Sequence, residues 1–253
     1  MAKDEDTKFK RLRMFNGVMG VFHLIQATFM LLITSEYSLP VTYLNPVFDP
    51  VTETISTVPE QIAELQIGPL VAMFLFMSAI AHFLLATVLY KWYVSNLKNH
   101  MNPGRWIEYS FSASLMIVII AMLTRISDVG TLIALFALTG VMNLMGLVME
   151  VHNQTTKKTS WLSYNIGCIA GVVPWIVIFI PLFMAESVPD FVIGIFVSIA
   201  IFFNLFAINM VLQYKKIGKW KDYLYGEKMY IVLSLVAKSA LAWQVFAGTF
   251  APG

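Results

Sequence analysis

Seven stretches of the chain, near 14–34, 67–91, 104–125, 129–151, 161–184, 190–213 and 229–250, are apolar for about the length that a helix needs to cross a bilayer. A hydrocarbon core of about 30 Å takes roughly 20 helical residues. Lipid offers no partner for backbone N–H and C=O groups, so a spanning segment satisfies them by forming a helix. The pattern predicts an all-α membrane protein, a seven-helix transmembrane bundle forming a single domain over 1–253. Charge is sparse in the same way: 13% of residues are charged and 58% apolar, against about 25% charged in a soluble domain. Pro174 and Pro181 fall within the fifth run, where neighbouring helices can satisfy the carbonyls they free. Basic residues precede the first run as in a signal peptide. That run is too long for a signal and no small-x-small pattern follows it, so a retained helix is expected.

The basic residues sort by side. The N-terminal tail and the 91–105, 152–160 and 214–228 connections hold fifteen of the 17 Lys and Arg; the rest are Arg125 and Lys238. Lys and Arg gather on the cytoplasmic side, so the N-terminus is predicted inside and the C-terminus outside. A net charge of +2 suggests no nucleic-acid surface. Lone Cys168 excludes an internal disulfide and reads as packing. The extracellular loop 35–66 has no Lys or Arg but five acids. Its segment SLPVTYLNPVFDPVTETI reads either as a short β-hairpin, capping the bundle or forming an interface, or as an irregular solvated loop.

Lys238 sits in the middle of the last run, in LSLVAKSALAW. With that helix starting near Met229 it lies nine residues in, roughly 13 Å along the axis. A charge there costs about 2.5–3.5 kcal/mol on insertion scales, which makes the lysine a functional candidate by default. Snorkelling or a structural ion pair is the plainer alternative. Burial favours the neutral, nucleophilic amine, and the chemistry this opens is a Schiff base with an aldehyde. Its protonated form needs a carboxylate. Asp128, Glu186 and Asp190 fall in outer loops, and Glu150, at a helix end, reads as a solvated cap. Glu108, near the start of the third run, remains. It is nominally about two turns shallower than Lys238, but the lysine stem tilts toward its own helix N-terminus and so toward Glu108.

Ser234 precedes Lys238 by four residues and Ser112 follows Glu108 by four, each pair sharing a helix face. His23, His82 and Ser78 fall at similar depth. They are either hydrogen-bonded core residues or the walls of a polar cavity that holds water and accepts a proton. Beyond Lys238 the helices offer Thr, Asn and Gln but no carboxylate or histidine, which argues against pumping. Met142, Gly146, Trp175, Phe202, Phe203, Phe206 and Trp243 are candidates for an apolar slot, or else ordinary packing.

Seven helices, a lysine in the middle of the seventh and a carboxylate in the third resemble the retinal-binding microbial rhodopsins. Where that family's third helix carries an arginine, a carboxylate, a hydroxyl four residues later and a carboxylate seven beyond, this chain has Arg105, Glu108, Ser112 and Ile119. Ile119 stands in place of the pumps' proton donor, and Ser234 in place of a second counter-ion. Inverted topology, a single glutamate counter-ion, a long outer first loop and histidines in the first two helices resemble a heliorhodopsin, over essentially the whole chain. The resemblance implies all-trans retinal bound to Lys238 as a protonated Schiff base, with Glu108 as counter-ion. It implies a cytoplasmic proton-accepting cavity built from His23 and His82 with water, to which Ser78 and Arg105 are assigned. It also implies a light sensor that neither pumps ions nor acts as an enzyme, forms a homodimer in the lipid bilayer and signals to an unidentified partner. GCIAG, Gly167–Gly171, permits close helix contact either between copies or within the bundle. Two other readings stand: a light-driven transporter or channel of the same fold, and a seven-helix receptor or enzyme that uses Lys238 without retinal. Three residues follow the last run, so no output domain is expected there.

Overall fold

The computed structural model describes residues 2–34, 36–188 and 190–250; residues 251–253, after the last run, lie outside these. Among the described residues seven helices are long and apolar enough to span a membrane. They are α1 (Ala2–Ile33), α2 (Ile67–Ala86), α4 (Pro103–Leu123), α5 (Val129–His152), α6 (Leu162–Met184), α7 (Asp190–Tyr214) and α8 (Tyr223–Phe250). A short helix α3 (Tyr90–Lys98) joins α2 to α4, and β1 (Ser38–Asp49) with β2 (Thr54–Gln66) joins α1 to α2.

Helix starts follow local chemistry. The Asn102 side chain accepts the Arg105 N–H at 3.1 Å with Pro103 in the first turn of α4. The Asp128 carboxylate accepts the Thr131 N–H at 2.7 Å at the head of α5. Three expected limits are corrected. Helix α1 begins at Ala2 rather than near 14, because Phe9 and Leu12 bury against Leu85, Tyr93, Leu97 and Ile231 and continue the helix beyond the apolar stretch. The second run does not reach 91. Helix α2 stops at Ala86, whose carbonyl accepts from Arg13 Nε at 2.7 Å, and α3 is separate. Helix α8 starts at Tyr223 rather than 229.

The long loop is a hairpin, and not a short one: strands of 12 and 13 residues pair antiparallel from Ser38–Gln66 to Asp49–Thr54, with a bulge between Val41 and Thr42. Strand β2 runs directly into α2. The hairpin is fixed to the α4–α5 turn, since Thr42 N–H donates to Ser127 O at 2.8 Å and the two hydroxyls lie 3.0 Å apart.

The main core lies among α2, α4 and α8, with Phe74, Ile117, Ile119, Ile120 and Leu241 fully buried. Large apolar side chains such as Leu32, Ile169 and Phe183 point outward, as a lipid-facing surface requires. Among the described residues the buried Lys, Arg and Glu side chains, Arg105, Glu150, Glu227 and Lys238, lie at the middle of α8 or toward the end that carries α3.

Candidate functional site

Lys238 is buried on α8, fifteen residues from the helix start rather than nine, because α8 begins earlier than its apolar stretch. Its ammonium donates to Ser78 Oγ at 2.5 Å, Glu108 Oε1 at 2.8 Å and Ser234 Oγ at 3.2 Å. Ser78 donates in turn to Glu108 Oε1 at 2.7 Å. Helices α2, α4 and α8 thus converge on one nitrogen. Ser234 reaches it because four residues make one helical turn. The face of Tyr109, next to Glu108 in sequence, lies 5.1 Å from the Lys238 nitrogen, within cation–π range. Ser112 is buried nearby and its hydroxyl has no hydrogen-bond partner.

Toward the α3 end the structure brings His82 and His23 together as stacked rings 5.4 Å apart. His82 Nδ1 pairs with Asn16 Oδ1 at 2.8 Å, while neither nitrogen of His23 has a partner. A cavity of about 30 Å³ is walled in part by Asn16, Ser78, His82, Arg105, Glu108 and Glu227. A cavity needs about 10–15 Å³ of such space per water, and this one has polar walls.

Arg105 is not a loop cation. It is buried and paired with Glu150 of α5 and Glu227 of α8. This corrects Glu150, which is no solvated cap: its side chain is 1% exposed and also accepts the Asn102 N–H at 2.8 Å. Glu227 further accepts from Tyr93 Oη at 3.1 Å and Asn102 Nδ2 at 2.5 Å. The guanidinium stacks against Trp106 and Tyr230.

On the other side, Lys238 lines a pocket of about 40 Å³ with Tyr109, Ser112, Met142, Asn143, Phe203 and Phe206 among its walls. Four of these, Met142, Asn143, Phe203 and Phe206, also wall a neighbouring cavity of about 380 Å³ between α5, α6 and α7. Gly146 and Trp175 line that cavity too, as do Trp106 and Phe179. Gly146 has a reason to lack a side chain: a Cβ there would sit 2.5 Å from the Trp106 ring. Trp243 does not contribute. It is 44% exposed and packs on Phe29 and Phe246. Phe202 is not in either wall. Cys168 lines the large cavity and is exposed, so it is not core packing. Gly167 and Gly171 face Met142 and Met145 of α5, so their stripe serves packing within the bundle.

The structure thus sets a deep lysine, paired with one carboxylate, beside an apolar slot. The family model for heliorhodopsins matches residues 12–250. The chain belongs to the heliorhodopsin family. No curated protein matches it. Heliorhodopsins are membrane photoreceptors rather than a classical enzyme family, and membership implies a retinal chromophore. The walls found here suit such a group: a large, mostly apolar and aromatic cavity within the roughly 300–1,000 Å³ usual for ligand sites, approached by a primary amine.

Sequence reasoning missed Tyr109, Asn143 and Glu227 in this heliorhodopsin. Tyr109 had a signal, since it adjoins Glu108. Glu227 lay hidden in a lysine-rich connection.

Proposed function

We propose that the chain is a light sensor that carries all-trans retinal on Lys238 as a protonated Schiff base, with Glu108 as counter-ion. The observation that supports this most is the 2.8 Å Lys238–Glu108 pair at the foot of a pocket that adjoins the large apolar cavity. Bound retinal supplies the light absorption and the isomerisation. Everything else falls to the chain. Glu108 balances the charge on the nitrogen, Ser78 and Ser234 fix the nitrogen's position, and Tyr109 offers its electron-rich face. Met142, Gly146, Trp175 and Phe206 shape the slot and keep water from it. On the α3 side His23, His82, Ser78 and Arg105 line or adjoin the polar cavity that receives a proton when the nitrogen gives one up.

In this reading the seven helices act as one domain. The fifteen basic residues put the N-terminus in the cytoplasm and the C-terminus outside. Pumping is left out, because Ile119 and Ser234 stand where a pump carries carboxylates. The sensor works without enzymatic activity, as a homodimer in the bilayer, and passes its signal to a separate partner.

The purified protein mixed with all-trans retinal is expected to form a visible-absorbing pigment, and Lys238→Ala is expected to remain colourless. A colourless wild type, or a coloured Lys238→Ala, refutes the assignment. A sustained light-driven pH change or current in vesicles would replace the sensor with a transporter or channel.

A further inference from the structure

Among the described residues, Glu150 and Glu227 have no part in the light-sensor reading, yet with Arg105 they form a buried charged group. Arg105, Glu150 and Glu227 are each buried, and they comprise one guanidinium and two carboxylates. Ionised, they carry a net charge of −1, whereas Lys238 and Glu108 cancel one another. A surplus buried charge is penalised by desolvation, and one proton removes it. The two carboxylates differ in access. Glu227 walls the same water-sized cavity as Glu108, Ser78 and His82, whereas Glu150 does not line it. Glu227 is also tied to His82 by hydrogen bonds, through Tyr93 Oη and Asn16, whose amide lies 3.4 Å from that hydroxyl.

We propose that Glu227 is a proton-binding site, held by Arg105 and Glu150, where the proton released by the Lys238 nitrogen comes to rest. The inference rests on the light-sensor reading and adds a destination to it. The N–H bond at Lys238 breaks and leaves a neutral nitrogen. An O–H bond forms on the Glu227 carboxylate, so the triad goes from −1 to neutral. Glu108 keeps its charge for the nitrogen's return. Water in the cavity carries the proton, with His82 and Asn16 of α2 and α1 at its wall. The remaining titratable groups around the triad are phenols. Tyr93 donates to Glu227 itself and Tyr214 donates to Met149 O, while Tyr223 and Tyr230 have unpartnered hydroxyls. Protonation of Glu227 weakens its bond to Arg105, which loosens the hold of α8 on α4. The proton is thereby stored where it also alters helix contact.

Light-minus-dark infrared spectroscopy on the pigmented protein tests this. Wild type is expected to gain a protonated-carboxyl C=O band. Glu227→Gln is expected to lose that band while keeping its dark visible absorption, and Glu227→Asp to keep the band at a displaced frequency. A band unchanged in Glu227→Gln, or unmoved in Glu227→Asp where the glutamine variant does not fold, overturns the site. An unchanged band with the pigment formed overturns the proposal without touching the pigment assignment, whereas a failure to form any pigment counts against the light sensor alone.

Discussion

Arg105→Gln should be among the most damaging single changes available. It leaves Glu150 and Glu227 facing each other with side chains that are each 1% exposed. Removing one partner of a buried ion pair costs about 3–5 kcal/mol. Here two carboxylates lose the same partner, but a proton on one offsets part of the second loss, so the range is not doubled. The guanidinium also gives up contacts 3.8 Å from the Tyr230 ring centre and 4.6 Å from that of Trp106. At about 2–4 °C per kcal/mol for a chain of this size, the melting temperature should fall by about 6–20 °C. The measurement is helical circular dichroism of the unpigmented protein in detergent against temperature. The triple variant Arg105→Gln, Glu150→Gln, Glu227→Gln should recover most of the loss, since a fully neutral set leaves no uncompensated charge. An Arg105→Gln melt within about 2 °C of wild type, less than 1 kcal/mol, refutes the ledger. So does a triple variant no better than the single one.

Glu108→Gln should replace the visible band at neutral pH with a near-ultraviolet one, or move it far to the red; an unchanged spectrum removes Glu108 as counter-ion. Gly146→Ala places a methyl 2.5 Å from the Trp106 ring, and overpacking of this kind costs about 1–3 kcal/mol. Its pigment yield and melting temperature should both drop, and wild-type values would show that Trp106 is not confined there. In the hairpin turn, the Val51 N–H bound to Asp49 Oδ1 at 2.8 Å holds the Asp49 carboxyl below its usual range. A depressed carboxylate stabilises above its unfolded value of about 3.9, and that contribution fades as pH falls through the folded value. Amide protection in the turn should therefore hold near neutrality and weaken under acid, and Asp49→Asn should abolish the difference; a pH-independent wild type contradicts it.

The seven spans were legible because lipid enforces one solution to the backbone problem, and hydropathy reports it directly. Helix ends were not. Phe9, Leu12 and the first turns of α8 continue their helices on protein contacts outside the apolar runs, so the depth of Lys238 came out too small. Its pairing with Glu108 could still be read, since so few carboxylates were available. Glu150 was misread because its partner lies 45 residues away in sequence, and a helix-end acid looks the same whether water or a guanidinium faces it. Trp243 shared a helix with Lys238 but not a face, a distinction that composition alone does not make.

The hairpin fastens only one end of the barrel of helices. It links α1 to α2 and is itself pinned at Thr42 to the corner between α4 and α5. Four helices are thereby laced together at that rim, while near the opposite rim α4, α5 and α8 meet at the Arg105, Glu150 and Glu227 side chains, beside the apolar cluster of Phe9, Leu12, Tyr93 and Ile231. In the light-sensor reading, a change of protonation acts on the charged rim and leaves the hairpin's backbone bonds untouched.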